Sequence, residues 1–299
     1  MAFDLLEAQL ETEALRLPPP GEVFWYTSGT VGPYYINTEN LYGGPMAAGE
    51  LLGYIDAESG RADFPLRLRE RVEKQYAEDA IYRQVVDSLV AGARDTGAEY
   101  QAVSGGERRD WFFSLAVAAR LGLPDLLIFK DHRKILLDGD QIHPIVANEL
   151  VTLHVADLVT EASSYFRDWI PVVGAGGGRI AYAANVIDRG QGGIEVLNER
   201  GVPAGALMRV DETVFARLVE MGRIDADQAA VLASYYRDPH AAMKDFLEAH
   251  PEFLRRALNG DDARAAGRAR MLVEENPYDL DTALWRGGFA KWTIRRRAR

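Results

Sequence analysis

The stretch Leu150-Val-Thr-Leu-His-Val-Ala-Asp-Leu-Val-Thr-Glu-Ala-Ser-Ser164 decides the fold of this chain. Its first residues are mostly apolar and β-branched, which is typical of a buried strand. The strand leads to Asp157 and then to a turn rich in Thr and Ser, where a helix is expected to start. A strand that leads through a polar turn into a helix indicates one unit of a parallel α/β sheet.

The same alternation continues on both sides of this stretch. We expect strands over residues 100–103, 126–129, 150–155, 180–187 and 204–210, and helices over residues 111–121, 163–169 and 193–200. Strands that alternate with helices predict an α/β fold with a mostly parallel sheet and helices on both faces.

The flanking regions have different patterns. Before the sheet we expect helices over residues 3–17 and 64–95, short strands over 23–26 and 34–36, and a loop over 40–62 with a short helix at 49–55. After residue 211, Gly and Pro separate four or five short helices, and Asp225 with Gln228 predicts a capping box. These patterns predict an α/β domain over residues 1–211 and a helical C-terminal extension over 212–299.

Composition excludes several classes of function. The chain has 299 residues, a formal net charge of −11 and no cysteine. An acidic chain disfavours nonspecific nucleic-acid binding, and the missing cysteines exclude disulfides and thiolate metal ligands. The histidines lack metal-ligand spacing, so we expect no protein-bound metal. No apolar run is long enough to span a bilayer, and no signal peptide is evident, so we expect a cytoplasmic protein without membrane contact.

Together with Ala183-Ala-Asn-Val-Ile-Asp-Arg-Gly-Gln-Gly-Gly193, the first stretch resembles the phosphoribosyltransferase fold, within it the orotate phosphoribosyltransferase branch. In that family two acidic residues hold the ribose hydroxyls of phosphoribosyl pyrophosphate (PRPP), and a Thr/Gly-rich loop cradles the 5′-phosphate. The resemblance implies that Asp157 binds the ribose, with Ala156 in place of the second acid. It also implies that Thr160, Ser163 and Ser164 bind phosphate. The alternative is a helix N-cap at Thr160 or Ser163 without a ligand.

The resemblance also implies residues that bind the base. Arg189 matches an arginine that binds the carboxylate of orotate, for which a guanidinium is suited because it can bind in a bidentate way. Tyr34 and Tyr35 match an aromatic pair that lies over the pyrimidine. The alternatives are a surface arginine in a strand-to-helix turn and ordinary core aromatics. Thr27 replaces a lysine of the family pattern just before Ser28-Gly29.

The resemblance also implies that two further segments contact pyrophosphate. Ser104, Gly105 and Gly106 match a Gly-rich turn, after which Arg108 and Arg109 either bind phosphate or pair with acidic residues. Lys130 and Lys134 match a basic segment that leads into a mobile loop, and cations there assist the departure of pyrophosphate. We therefore expect Lys130, Lys134 and Asp157 to be catalytic. The alternative for the basic segment is an ordinary solvated cluster.

Two functions follow from the resemblance. The first is transfer of ribose 5-phosphate from PRPP to orotate or a related base, with Mg²⁺ carried by PRPP, in a homodimer whose basic loop crosses to the other subunit. The second is a catalytically silent protein that binds a nucleotide or phosphosugar on the same fold. Ala156, Thr27 and Glu161 distinguish the two, since each departs from the family pattern. We expect weak PRPP binding that Ala156→Asp strengthens.

Overall fold

The computed structural model describes residues 3–144 and 149–281. These residues form two compact units, which consist of residues 3–15 with Ile36–Val210 and of Arg16–Tyr35 with residues 211–281. The second unit takes up the chain again at Asp211. Residues 16–35 group with the C-terminal helices.

In the described residues of the first unit, seven strands form one sheet: β1 (Ala102–Gly106), β2 (Asp125–Ile128), β3 (Lys134–Asp138), β4 (Gln141–His143), β5 (Val151–Val159), β6 (Arg179–Asp188) and β7 (Ala204–Arg209). Their spatial order is β7-β6-β5-β1-β2-β3-β4. The first five in this order pair in parallel, whereas β3 and β4 are antiparallel additions. The predicted mostly parallel sheet is therefore confirmed.

Helices pack on both faces of this sheet. The helices of the first unit are α1 (Leu5–Glu11), α2 (Gly44–Glu58), α3 (Phe64–Glu78), α4 (Ala80–Asp95), α5 (Trp111–Leu121), α6 (Ile170–Gly174) and α7 (Gly193–Glu199), with a 3₁₀ helix at Thr38–Tyr42 and a π-helical turn at Tyr165–Trp169. Helix α5 packs on β1, β2 and β5, and its first eight residues are all buried. A helix that is apolar all round is buried on every side, and α5 accordingly contributes much of the core.

The long helix predicted over residues 64–95 is two helices. Asp79 adopts an extended conformation, with φ −104° and ψ 122°, and its side chain accepts a hydrogen bond from the backbone N–H of Tyr82. The helix predicted over residues 3–17 is similarly shorter, because α1 ends at Glu11. Asp residues favour helix N-caps because the carboxylate satisfies backbone donors that have no partner within the helix.

The segment after Phe129 is a hairpin in the structure. A tight turn over residues 130–133, in which Phe129 N–H donates to the Arg133 carbonyl at 2.9 Å, connects β2 to β3. His132 has a left-handed φ of 67° in this turn. The apolar residues Ile135, Leu136 and Leu137 then extend the sheet, with β4 as its edge strand.

The second unit is mainly helical in its described part. Its helices are α8 (Glu212–Glu220), α9 (Ala226–Arg237), α10 (Pro239–Ala249), α11 (Pro251–Asn259) and α12 (Ala263–Glu275), with an antiparallel pair at Phe24–Trp25 and Val31–Gly32. Asp225 and Gln228 form the predicted capping box at the start of α9. A cavity of about 210 Å³ lies inside this unit, among residues that include Pro18, Leu232 and Phe246. Across both units, none of the described helices has the length and apolar character that a bilayer-spanning helix needs.

Candidate functional site

Asp157 lies near the carboxyl end of β5, at the edge where the parallel strands of the sheet end. Its side chain is partly exposed, whereas the preceding Ala156 is fully buried in an apolar cluster. Thr160 and Ser164 are partly exposed and Ser163 is exposed, and the chain becomes helical at Ser163. An acid followed by a hydroxyl-rich helix start can hold neutral hydroxyls and an anion side by side.

A second carboxylate lies beside Asp157, but it comes from another element. Asp110, which precedes α5 and is 3% exposed, accepts a hydrogen bond from the N–H of Asp157 at its Oδ1 (3.0 Å). Its Oδ2 accepts the N–H of Gly106 at 2.9 Å. The two carboxyl groups are close enough to influence each other's pKa. Asp110 and Asp157 therefore form a carboxylate pair that the sequence did not indicate.

Glu39 and Arg109 complete this cluster of charges. Glu39, in the 3₁₀ helix, is 5% exposed and pairs through Oε1 with Nε of Arg109 at 3.0 Å. The side chain of Arg109 is 48% exposed, and Arg108 pairs with Asp56 on α2. Of the two alternatives for these arginines, the structure shows ion pairs with acidic residues.

The carboxyl pair has altered acidity. Burial raises the pKa of Asp157 to about 6, while the charge of Arg109 lowers it and that of Glu39 raises it. Burial, and then the charge of Asp157, raises the pKa of Asp110 well above its usual range. Both groups therefore ionise less readily than separate carboxyls.

The predicted Gly-rich turn forms the buried end of β1. The hydroxyl of Ser104 is fully buried and lies 3.0 Å from Nδ1 of His154. The carbonyl of Gly105 accepts the indole N–H of Trp111 at 2.9 Å. A Cβ at Gly106 would lie 2.2 Å from Nε1 of Trp169, so the indole covers this glycine closely.

Aromatic rings pack next to the carboxyl pair. Ring centroids of His154 and Trp169 are 4.5 Å apart, and those of Tyr165 and Trp169 are 4.6 Å apart. Burial lowers the pKa of His154 to about 3, so its imidazole is neutral. Its Nε2 lies 3.9 Å from Oδ2 of Asp110. This ring cluster therefore packs against Asp110 and Gly106.

Arg189 follows β6 and shares the carboxyl edge of the sheet with Asp157. Its N–H donates to the Val159 carbonyl at 3.0 Å, which places the two strand ends side by side. The buried Asp188 accepts the N–H of Gly190 at 2.8 Å and lies 3.5 Å from Nε of Arg209. The turn after β6 is thus held by Asp188, with Arg189 partly exposed beside it.

The two predicted catalytic lysines occupy the β2–β3 turn. Lys130 is exposed, and its backbone N–H donates to the carboxylate of Glu107 at 3.0 Å. Lys134 begins β3 and donates from Nζ to the carbonyl of Val172 in α6 at 3.2 Å. The ammonium of Lys134 therefore supports a helix end, while that of Lys130 faces solvent.

The predicted base-binding tyrosines belong to the second unit. Tyr34 is 4% exposed and packs edge-on against Tyr235, with ring centroids 5.6 Å apart. Tyr35 packs against Phe24 and Tyr26 at 5.8 and 5.4 Å. Within their own unit, both rings take part in aromatic packing.

Three residues near the site were missed from sequence: Glu39, Asp110 and Trp169. Asp110 had one available signal, since it stands directly before a strong helix pattern at the end of a strand. Glu39 and Trp169 carried none, because their partners are distant in the chain. Among the described residues, no three His, Asp or Glu side chains are arranged to hold a metal ion.

Solved structures show what this architecture resembles. The UMP synthase of Leishmania donovani superposes with a TM-score of 0.53 at 15% identity, over 78% of this chain and 41% of that chain. This chain thus spans less than half the length of that protein. The orotate phosphoribosyltransferase of Francisella tularensis superposes with a TM-score of 0.51 at 13% identity, over 78% of this chain and 97% of that chain.

Comparison of sequences gives no relative, since neither a family model nor a curated protein matches. The structural likeness at such low identity concerns the fold alone. The first unit therefore has the α/β fold of the phosphoribosyltransferases, and the chain also contains C-terminal helices.

Proposed function

We propose that the chain binds a phosphoribosyl compound at the carboxyl edge of β5. In this proposal, Asp157 accepts hydrogen bonds from the ribose hydroxyls, and residues 160–164 receive the 5′-phosphate. The observation that carries it is the order along the chain: a partly exposed acid near a strand end is followed by partly or fully exposed hydroxyls at a helix start. Free N–H groups and the helix dipole favour an anion at such a position.

One specific observation favours a transferase version of this function. Asp110 supplies a second carboxyl beside Asp157, although Ala156 replaces the acid that the family pattern has. In this version, the bond from ribose C1′ to the pyrophosphate oxygen breaks, and pyrophosphate leaves with the electron pair and its Mg²⁺. A nitrogen of orotate or a related base then forms the new bond to C1′ and gives up its proton. Arg189 would bind the base.

The geometry of the described residues favours a binding protein without transferase activity over a transferase. Lys134 donates to a backbone carbonyl and Arg109 pairs with Glu39, so two cations near the site already have partners. Departure of pyrophosphate needs cations at its oxygens. Lys130 remains as a candidate, and its ammonium is on an exposed turn. We therefore propose a nucleotide- or phosphosugar-binding protein, with transfer to orotate as the second candidate.

Binding and chemistry can be tested separately. We expect uridine 5′-monophosphate to bind in a calorimetric titration, and Asp157→Asn to weaken this binding at least tenfold, since a charged hydrogen bond contributes about 1.5–3 kcal/mol. Asp138→Asn, an exposed carboxylate on β3, serves as the matched control. No heat of binding with any phosphoribosyl compound would remove the proposal. Consumption of orotate in the presence of PRPP and Mg²⁺, followed by absorbance, would establish the transferase instead.

A homodimer is the proposed assembly, carried over from the resemblance. Light scattering at micromolar concentration tests it, and a monomer would remove any mechanism in which one subunit completes the other's site.

A further inference from the structure

The backbone donors at the end of β1 are already occupied within the protein. The N–H of Gly106 donates to Oδ2 of Asp110 at 2.9 Å, and the N–H of Glu107 donates to the carbonyl of Ile128 at 2.7 Å. The resemblance assigned pyrophosphate to this segment. Because a diphosphate binds to a turn through such N–H groups, the two donors would have to break existing hydrogen bonds to bind it.

The surface above Gly106 is also filled. A Cβ built there would lie 2.2 Å from Nε1 of Trp169 and 2.9 Å from Oδ2 of Asp110. On Gly105, the corresponding position is 2.5 Å from Oγ of Ser114. The Cβ side of this backbone is therefore covered by Ser114 at Gly105, and by Trp169 and Asp110 at Gly106, so a phosphate group cannot approach from that side.

The side chains around this segment do not favour a diphosphate. Glu39, Asp110 and Asp157 lie together, and the cation beside them, Arg109, is paired with Glu39. The carboxylate of Asp110 occupies the position in which it accepts two backbone N–H groups, those of Gly106 and Asp157. A protein carboxylate thus fills the place that an anionic ligand would need.

We propose that the ligand of this site carries a 5′-phosphate on ribose and no diphosphate, because Asp110 and Trp169 occupy the position of the diphosphate. This inference rests on the proposed function, that is, on the binding of a phosphoribosyl compound through Asp157 and residues 160–164. The ligand class is a ribose 5-phosphate ester, either free ribose 5-phosphate or a nucleoside 5′-monophosphate. Asp110 and Trp169 are then specificity-determining residues.

Calorimetric titration of the full chain in Mg²⁺ compares four probes: ribose 5-phosphate, uridine 5′-monophosphate, PRPP and inorganic pyrophosphate. We expect PRPP to bind no more tightly than ribose 5-phosphate, and pyrophosphate not to compete with it. The ratio of the affinities for ribose 5-phosphate and uridine 5′-monophosphate shows whether the free sugar phosphate or the nucleotide is the preferred ligand. PRPP binding at least tenfold tighter than ribose 5-phosphate would overturn this inference and leave the proposed function intact. Binding of no phosphoribosyl probe would overturn both.

Variants of Asp110 and Trp169 test directly whether these side chains exclude the diphosphate. Asp110→Asn replaces one carboxyl oxygen by an NH₂ group at nearly constant size, so one of the two backbone N–H groups loses its acceptor and becomes available to a ligand. We expect this variant to raise the affinity for PRPP relative to ribose 5-phosphate at least tenfold. Asp138→Asn, on the exposed face of β3, should leave that ratio unchanged. Trp169→Leu uncovers Gly106 without touching the carboxylate and should raise the ratio at least threefold, which provides a test if Asp110→Asn does not fold. An unchanged ratio in a folded variant of either kind would contradict the inference.

Discussion

The N–H of Asp157 donates to Oδ1 of Asp110 at 3.0 Å, which joins the end of β5 to the start of α5 across 47 residues of sequence. The other oxygen of Asp110 accepts the N–H of Gly106 at the end of β1. One buried side chain thereby connects two neighbouring strands and a helix. It fixes the spacing of the strand ends on which the candidate site is built.

Removal of this side chain should destabilise the fold. Asp110→Ala leaves one buried and one partly buried N–H group without an acceptor, and the loss of a buried acceptor costs about 1–3 kcal/mol. Urea denaturation should show a fall of about 2–4 kcal/mol in the free energy of unfolding. Asp140→Ala, whose carboxylate is 85% exposed, is the control and should change stability little. A loss below about 0.5 kcal/mol for Asp110→Ala would show that these hydrogen bonds matter little.

The structure reverses one expectation from the sequence, that Ala156→Asp would strengthen PRPP binding. Ala156 is fully buried with Tyr165 and Ala183 in the same apolar cluster. A carboxylate there has to be buried, so the variant should lose about 3 kcal/mol or more of stability at pH 8 and gain no affinity for PRPP.

Ala156→Asn, of the same size without the charge, is the matched control. The stability of Ala156→Asp relative to this control should fall as pH rises from 5 to 8, because the buried acid ionises more easily in the unfolded chain. An equal difference at the two pH values in urea denaturation would mean that the carboxylate reaches solvent.

The elements that could be predicted from sequence have strong local signals. Helix α5 was placed correctly because its apolar run ends at Gly122, which has the left-handed φ of 67° that glycine tolerates. The break at Asp79 was missed because neither Gly nor Pro marks it in the segment Tyr76-Ala-Glu-Asp-Ala80. An Asp within a helical pattern can be an interior residue or a cap, and only the packing of α3 and α4 decides between them.

The site was harder to predict, because it depends on pairs of residues far apart in sequence. Asp157 stood out since it ends an apolar strand, but nothing local indicated that Asp110 is its neighbour. The sequence also did not show why glycine is present at both Gly105 and Gly106. In the sequence it is typical of an open ligand turn, whereas in the structure Ser114 and Trp169 pack where side chains would lie.

Asp125 gives a prediction on pH. It is 2% exposed at the start of β2, and burial raises its pKa to about 8, although a hydrogen bond from Ser114 at 3.1 Å partly opposes this. The folded state therefore keeps a proton that the unfolded chain loses above its ordinary pKa of about 4. Stability from this group is present at low pH and is lost as pH rises from about 4 to 8.

The free energy of unfolding of Asp125→Asn, taken relative to that of the unaltered protein, should accordingly rise by about 2–4 kcal/mol between pH 5 and pH 8. Urea denaturation at both pH values measures this difference. Asp138→Asn, at an exposed position on β3, should show no such change. A difference that is independent of pH would mean that Asp125 ionises normally in the folded protein.

Gly106→Ala tests the close packing at the end of β1. The new Cβ would lie 2.2 Å from Nε1 of Trp169 and 2.9 Å from Oδ2 of Asp110, so either the indole or the carboxylate has to move. Such overpacking costs about 1–3 kcal/mol, and thermal denaturation should show a corresponding fall in Tm. Gly92→Ala in α4, where no atom lies within 4 Å of the new Cβ, is the matched control and should gain about 0.5–1 kcal/mol from helix propensity. If the two variants were equally stable, Trp169 would not be held against Gly106. The backbone at Gly106 would then be open to a ligand.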